Sequence, residues 1–486
     1  MFRCYLCIIT GFLVALFASA CQPIQAPASP GMPAAASYTP RYEPAPCQYE
    51  ITEADKIECG YLIVPEDRSN PTGPTIRVHV LNFKAKSANP APDPVILVPG
   101  GPGAPTLLYL WWMQETPLGE ALRGQRDTLL IEHRGTNHSA PAFYCPELEA
   151  DVAALVDVSL AEEVARNATA LRACFARLVQ EGHPLSLYGP VDTAADIADL
   201  RLALDYEEVN IYGSSWGTIL SFYLLRDHPA GIRSVVLDGP MSPEINQTVN
   251  ALRMVNDVFA ALFQACADDA VCQAAYPGLE AVFYDTLARL RNEPVTVTVQ
   301  DDAGQSHAVT IDDVKFVNYV LGLGLFGGDF AQMLAGMMAI HNNDYAAVAQ
   351  SWLGFWAGRH GATGPGTWSA TSGVWYADGC LQERATGTIE EAMAAYDTVD
   401  SAPSIRDWVT LIFIQDFFMH CEFFGDPGRG IGDSIASDTP TLMLVSRLDQ
   451  FTPPYFTDAA IARFSQGHRV ELPSPILSPS SPVAPN

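Results

Sequence analysis

Residues 207–225 read EEVNIYGSSWGTILSFYLL. Val209–Tyr212 is an apolar run short enough for a buried strand, and Thr218–Arg226 continues as a helix, so Gly213-Ser214-Ser215-Trp216-Gly217 must turn the chain within a few residues. A side chain at either edge of so tight a turn would collide with the neighbouring strand or helix, which accounts for glycine at positions 213 and 217. The turn holds Ser215 at the carboxyl end of the strand with its hydroxyl exposed, and it aims the Trp216 amide at the same space. Ser215 is the expected nucleophile, and Ser214 is expected to be a small filler.

On either side of this turn the chain alternates apolar runs with helical periodicity. Strands are expected at Tyr61–Val64, Ile76–Phe83, Val95–Val98, Thr128–Glu132, Val209–Tyr212, Ser234–Leu237, Leu442–Val445 and Arg469–Leu472, with helices such as Asp192–Leu204 between them. That pattern predicts an α/β fold: a doubly wound, mainly parallel sheet covered on both faces. The alternation stops at Pro243 and resumes near Thr439. Between them lie mostly helical stretches, such as Leu252–Ala265 and Phe330–Ile340, and VTVTVQDDAGQSHAVTI (Val295–Ile311), a hairpin turning at Asp302-Ala303-Gly304. A helical cap is therefore expected between strands 6 and 7.

PVILVPGGPGAP (Pro94–Pro105) follows the third apolar strand with a glycine-rich loop. Such a loop can present an unobstructed amide, here assigned to Gly101, which with the Trp216 amide forms an oxyanion hole. No Gly-Lys-Ser/Thr follows, which excludes a phosphate-binding loop.

In order along the chain, GGPG, DTLLIEHRGTNHSAP (127–141), DLRLALDYEEVNIYGSSWGT (199–218) and SVVLDGPMSP (234–243) resemble the prolyl iminopeptidase and tripeptidyl aminopeptidase branch of the α/β-hydrolases. The resemblance runs from about Cys47 to Leu472. It implies a core in two parts (47–243 and 438–472) and a cap over the site (244–437), with release of amino acids or short peptides from peptide amino ends. In TPTLMLVSRLDQFTPP (439–454), Asp449 occupies the loop where such proteins carry the carboxylate that orients an imidazole. Cap carboxylates bind the substrate amine in these peptidases, and Glu383 in DGCLQE is the candidate. Pro99 and His133 stand where prolyl iminopeptidases usually have histidine and glutamine, which argues against strict proline specificity.

The same resemblance places a histidine after the last strand. HRVEL (468–472) reads as that strand, but the next fourteen residues, PSPILSPSSPVAPN, hold five prolines, four serines and no histidine. They cannot form the expected closing helix. Residues 473–486 are accordingly read as an aberrant tail, with a frameshift as one explanation, and the hydrolase as impaired for want of its base. His468 precedes its strand and so lies at the wrong end of the sheet. His138 lies at the correct end and is a surrogate candidate, while His133 is expected to be a buried hydrogen-bonding group.

The amino end, MFRCYLCIITGFLVALFASAC, reads as a signal peptide (1–20) followed by Cys21 in a bacterial lipobox-like context. Residues 21–46, rich in proline and alanine, read as a lipid-anchored tether to the membrane of the cell envelope. Eight cysteines follow Cys21, and proximity favours Cys47–Cys59, Cys145–Cys174, Cys266–Cys272 and, by elimination, Cys380–Cys421, although spacing leaves other connectivities open. No metal-ligand spacing occurs in the exported part, and no cofactor is implied. A net charge of −28 excludes nucleic acid as a partner. Two rival readings stay open: an esterase or lipase with the same elbow, and a non-catalytic exported peptide-binding lipoprotein.

Overall fold

The computed structural model describes residues 38–49, 56–148, 157–301, 303–326, 330–361, 372–428 and 430–472. The expected signal peptide, Cys21, the first part of the tether and the tail 473–486 lie outside the described residues. A nine-stranded sheet forms the centre, in the spatial order β1-β2-β3-β5-β4-β6-β7-β10-β11. These strands are β1 (Arg41–Ala45), β2 (Ile57–Pro65), β3 (Thr75–Phe83), β4 (Val95–Val98), β5 (Thr128–Ile131), β6 (Val209–Ser214), β7 (Ile232–Asp238), β10 (Thr441–Ser446) and β11 (Gly467–Leu472). From β5 to β11 all neighbours are parallel, whereas β1, β2 and β3 run antiparallel on one edge.

β1 corrects the expected tether. Residues 41–45 pair with β2 in the register Arg41↔Ile63, and Pro44 is tolerated because the strand lies at an edge. The Tyr38 hydroxyl, just ahead of it, donates to the Asp199 carboxylate, so the chain is already anchored there.

Both faces of the central strands are apolar, as a parallel sheet covered by helices requires. Val78, Val80, Ile96, Leu129 and Ile211 pack on one face in the large core. Leu81, Leu97, Leu130 and Tyr212 pack on the other, against Trp112 and Met113 of α1 (Thr106–Glu115). Further helices are α2 (Pro190–Ala203) and α3 (Trp216–Asp227), the latter leaving the elbow directly.

Between β7 and β10 the chain is mostly helical. It includes α4 (Gln247–Asp268), a separate hairpin β8–β9 (Val295–Gln300 and Ser306–Ile311), α5 (Phe330–His341) and α6 (Ser372–Thr386). Because β1 joins the sheet, this insertion falls between its seventh and eighth strands rather than the sixth and seventh. Gln382 of α6 accepts a hydrogen bond from Tyr223 of α3 at 2.7 Å, which seats the insertion on the helix behind the elbow.

The connection pattern decides where a site can form. After β4 the chain leaves for β5 on one side, whereas β6 lies on the other side of β4. Loops leaving the carboxyl ends of β4 and β6 therefore part in opposite directions and open a crevice at this switch point. The register Val98↔Gly213 brings the two expected functional loops side by side.

Candidate active site

Ser215 joins β6 to α3 with φ 52° and ψ −120°. A positive φ is uncommon for a residue with a Cβ, and it is sustained here by a hydrogen bond from the Ser215 amide to the Asp238 carbonyl at 2.8 Å. The flanking glycines are required by contact. A Cβ at Gly217 would lie 2.2 Å from the Val98 carbonyl oxygen and 2.7 Å from that of Pro99, and one at Gly213 would lie 2.7 Å from the Gly217 carbonyl oxygen. The β4 loop thus rests directly on the elbow.

Within that loop three amides face different fates. The Gly100 N–H donates to the Tyr109 hydroxyl at 2.6 Å, and the Gly103 N–H donates to His133 Nδ1 at 3.0 Å. Gly101, at φ 118°, donates to no acceptor among the described hydrogen bonds and is partly exposed. Trp216 is the first residue of α3, where a helix leaves its N–H groups without intrahelical acceptors. The amides assigned to the oxyanion are thus the ones left open on either side of Ser215.

His133 holds the loop at both ends. With Nδ1 accepting from Gly103, Nε2 carries the proton and donates to the Pro99 carbonyl at 3.2 Å. It is 1% exposed, and burial depresses its pKa to about 4, so the ring stays neutral and the staple intact at neutral pH. Beside it, Arg134 makes a bidentate pair with Asp196 at 2.7 and 2.8 Å, both groups fully buried.

Asp449 follows β10. Its Oδ1 accepts from the Phe451 and Thr452 amides at 2.9 and 2.8 Å, and its Oδ2 accepts from the Thr452 hydroxyl. Burial pushes its carboxyl above the usual range against these three donors. A Cβ at Gly239 would come 3.3 Å from Asp449 Oδ2, and Gly239 directly follows Asp238, whose carbonyl holds Ser215. Ser215 and Asp449 therefore flank the same bend at the carboxyl ends of β6, β7 and β10.

Among the described residues no hydrogen bond joins a histidine ring to Ser215 or Asp449. His468 is paired with Leu442 at the start of β11, whereas Asp449 lies beyond Ser446, which pairs with Leu472. The His138 ring packs edge-on to Tyr49 at 4.7 Å and to His79 at 5.5 Å. That cluster surrounds Glu132, whose Oε1 accepts from Tyr49 and Thr106 at 2.9 and 2.8 Å.

Both oxygens of Glu383, the amine-binding candidate, are taken up by backbone amides. It is 2% exposed, and its oxygens accept from the Gln247 and Thr248 amides at 3.0 and 2.9 Å, so it caps the start of α4. A carboxylate at a helix N-terminus satisfies orphan N–H groups and opposes the helix dipole, which explains its burial without a substrate. Two residues had no local signal in the sequence: Asp378, bonded to the Trp216 indole, and Tyr109, which occupies the Gly100 amide.

The structure closes disulfides between Cys47 and Cys59, Cys145 and Cys174, Cys266 and Cys272, and Cys380 and Cys421. The only cluster of potential metal ligands among the described residues, Cys145, Glu147 and Cys174, has both sulfurs in one of these bridges, which fits no metal.

Residues 93–271 match the α/β hydrolase fold family. The chain is 27% identical over 234 residues to the serine protease Hip1 of Mycobacterium tuberculosis (strain ATCC 25618 / H37Rv), covering 46% of this chain and 44% of that protein. It is 29% identical over 196 residues to the tripeptidyl aminopeptidase of Streptomyces lividans, covering 38% of this chain and 36% of that one. The chain thus spans less than half the length of these relatives. A proline iminopeptidase structure from Mycobacterium smegmatis aligns with 86% of this chain and 91% of its own at a TM-score of 0.34 and 13% identity.

Proposed function

We propose that this chain, an α/β-hydrolase, is built as a serine peptidase that releases amino acids or short peptides from the free amino ends of peptides through an acyl-enzyme. The observation that carries the reading is Ser215 at φ 52° between two open amides, those of Gly101 and Trp216. In that reaction Ser215 Oγ attacks the scissile carbonyl, and the two amides take up the charge that develops on its oxygen. Each such donor is worth about 3 kcal/mol in the transition state. In this reading Asp449 orients an imidazole and stabilises its charged form. Resemblance to a tripeptidyl aminopeptidase and a serine protease supports a peptide substrate over a simple ester. No cofactor enters this chemistry, because acyl transfer at such a site proceeds by nucleophile, base and oxyanion donors alone.

A second reading, a non-catalytic peptide-binding protein, is favoured by one observation: among the described residues the Asp449 carboxylate is bonded to its own loop and to no ring nitrogen. Labelling with a fluorophosphonate separates the two. Stoichiometric modification of Ser215 means that some base activates it and removes the non-catalytic reading; no labelling of protein with intact disulfides removes the peptidase reading. Hydrolysis of tripeptidyl amides in preference to short-chain esters then supports the peptidase over an esterase. Replacing His138 with alanine tests the surrogate base, which predicts loss of labelling.

Export and lipid anchoring through Cys21 complete the proposal, with the membrane as the anchor's partner. Metabolic incorporation of a labelled fatty acid that is lost in Cys21→Ser is the expected result.

A further inference from the structure

Asp378 stands on α6, in the insertion, and is 0% exposed. Its Oδ2 accepts the indole N–H of Trp216 at 3.0 Å and lies 3.8 Å from His133 Nδ1, while its Oδ1 has no hydrogen-bond partner among the described residues. A buried carboxyl with an unmade bond works against folding, and an apolar side chain would fill the same space at less cost. Packing is therefore a poor account of this residue. Its two neighbours are more informative. Trp216 carries one open amide, and His133 staples Pro99 to Gly103 on either side of Gly101, which carries the other.

We propose that Asp378 is a positioning residue for the oxyanion hole: one carboxyl from the insertion seats against the supports of both donors, so that docking of the insertion and alignment of the two amides are a single event. The proposal rests on the reading of Ser215 given above. Trp216 follows a residue held at φ 52°, and its indole is a handle by which its position is held from outside the loop. Burial raises the Asp378 carboxyl well above its usual range, and asparagine keeps its shape together with a carbonyl oxygen that can accept the indole N–H.

The test compares Asp378→Ala and Asp378→Asn in the full chain, using the reaction of Ser215 with a fluorophosphonate resolved into a reversible binding constant and a maximal inactivation rate. Misplacing a reacting group by about 1 Å costs up to about 100-fold, so D378A is expected to lower the inactivation rate about 10- to 100-fold with binding unchanged. D378N is expected to restore it to within about threefold, because its carbonyl still accepts the indole N–H. An unchanged inactivation rate in D378A, or a D378N as slow as D378A, overturns the proposal. Should D378A misfold, Trp216→Phe removes the same bond from the other side and is expected to show the same loss.

A second measurement is independent of chemistry. Amide hydrogen exchange in D378A is expected to accelerate in peptides spanning 99–105 and 213–220 while α4 is unchanged, with D378N like the unmodified protein. If the unmodified protein fails to label, the peptidase reading falls, and exchange alone then decides: acceleration in both segments sustains the positioning role and no acceleration refutes it.

Discussion

Replacing Ser215 with glycine should make the protein more stable while ending its reactivity. Ser215 sits at φ 52°, ψ −120°, outside even the small left-handed well open to residues with a Cβ. Holding a residue in such a region costs about 1–3 kcal/mol. Glycine removes that strain but adds about 0.4–1 kcal/mol of chain entropy to the unfolded state, leaving a net gain of about 1 kcal/mol. The hydroxyl takes part in none of the described hydrogen bonds, so deleting it carries no offsetting loss. Alanine retains the Cβ and with it the strain, so Ser215→Ala should match the unmodified protein to within about 0.5 kcal/mol. The assay is urea unfolding with disulfides intact, comparing midpoints at equal slope. Glycine at or below alanine in that comparison would refute the idea that strain is stored at the nucleophile.

Gly217→Ala should be costly by contrast. Its Cβ would meet two carbonyl oxygens, at 2.2 and 2.7 Å, and relief requires the β4 loop to lift off the elbow; a loss of about 1–3 kcal/mol and of Ser215 labelling is expected from unfolding midpoints and mass spectrometry. His133 gives a pH dependence of definite sign. Its folded pKa of about 4 lies below the unfolded value of 6.5, so the unfolded chain takes up the proton first as pH falls, and stability declines from pH 7 towards pH 4. At pH 4.5 this amounts to about 2–3 kcal/mol, and His133→Gln should flatten that part of the profile when unfolding midpoints are compared across pH. Among the disulfides, the span of 41 residues between Cys380 and Cys421 constrains the unfolded chain more than the span of 6 between Cys266 and Cys272. Removal of the first pair by serine should cost about 4 kcal/mol and of the second about 2 kcal/mol, read from thermal or urea unfolding of the paired variants.

The strands and helices that carry strong local patterns were legible. β4, β6 and α3 announce themselves by apolar runs broken at glycine, and the β8–β9 hairpin by alternation around a turn. β1 was not, because RYEPA has a proline and no alternation; its pairing with β2 comes from an exposed edge that only the folded sheet provides. The site divides the same way. The elbow and the glycine loop are local motifs, but which loop amide stays open depends on Tyr109 and His133 claiming Gly100 and Gly103. Asp378 and Trp216 lie 162 positions apart in the sequence, and no periodicity connects them. Glu383 shows the converse hazard: a carboxylate in a promising segment was taken up by the start of a distant helix.

The pairing of Val98 with Gly213 has a bearing on folding as well as on chemistry. The glycine loop and the elbow leave adjacent strands that are remote in sequence, so the pocket for the oxyanion exists only once that long-range pairing has closed, a slow step for parallel strands. A slip of one residue would turn the side chains of one strand to the opposite face and carry the Gly101 amide away from Ser215 by a full residue's rise. Reactivity at Ser215 would then serve as a gauge of register in the middle of the sheet: during refolding it should emerge later than bulk secondary structure, and a population with native helix content but mispaired strands would remain silent to the probe.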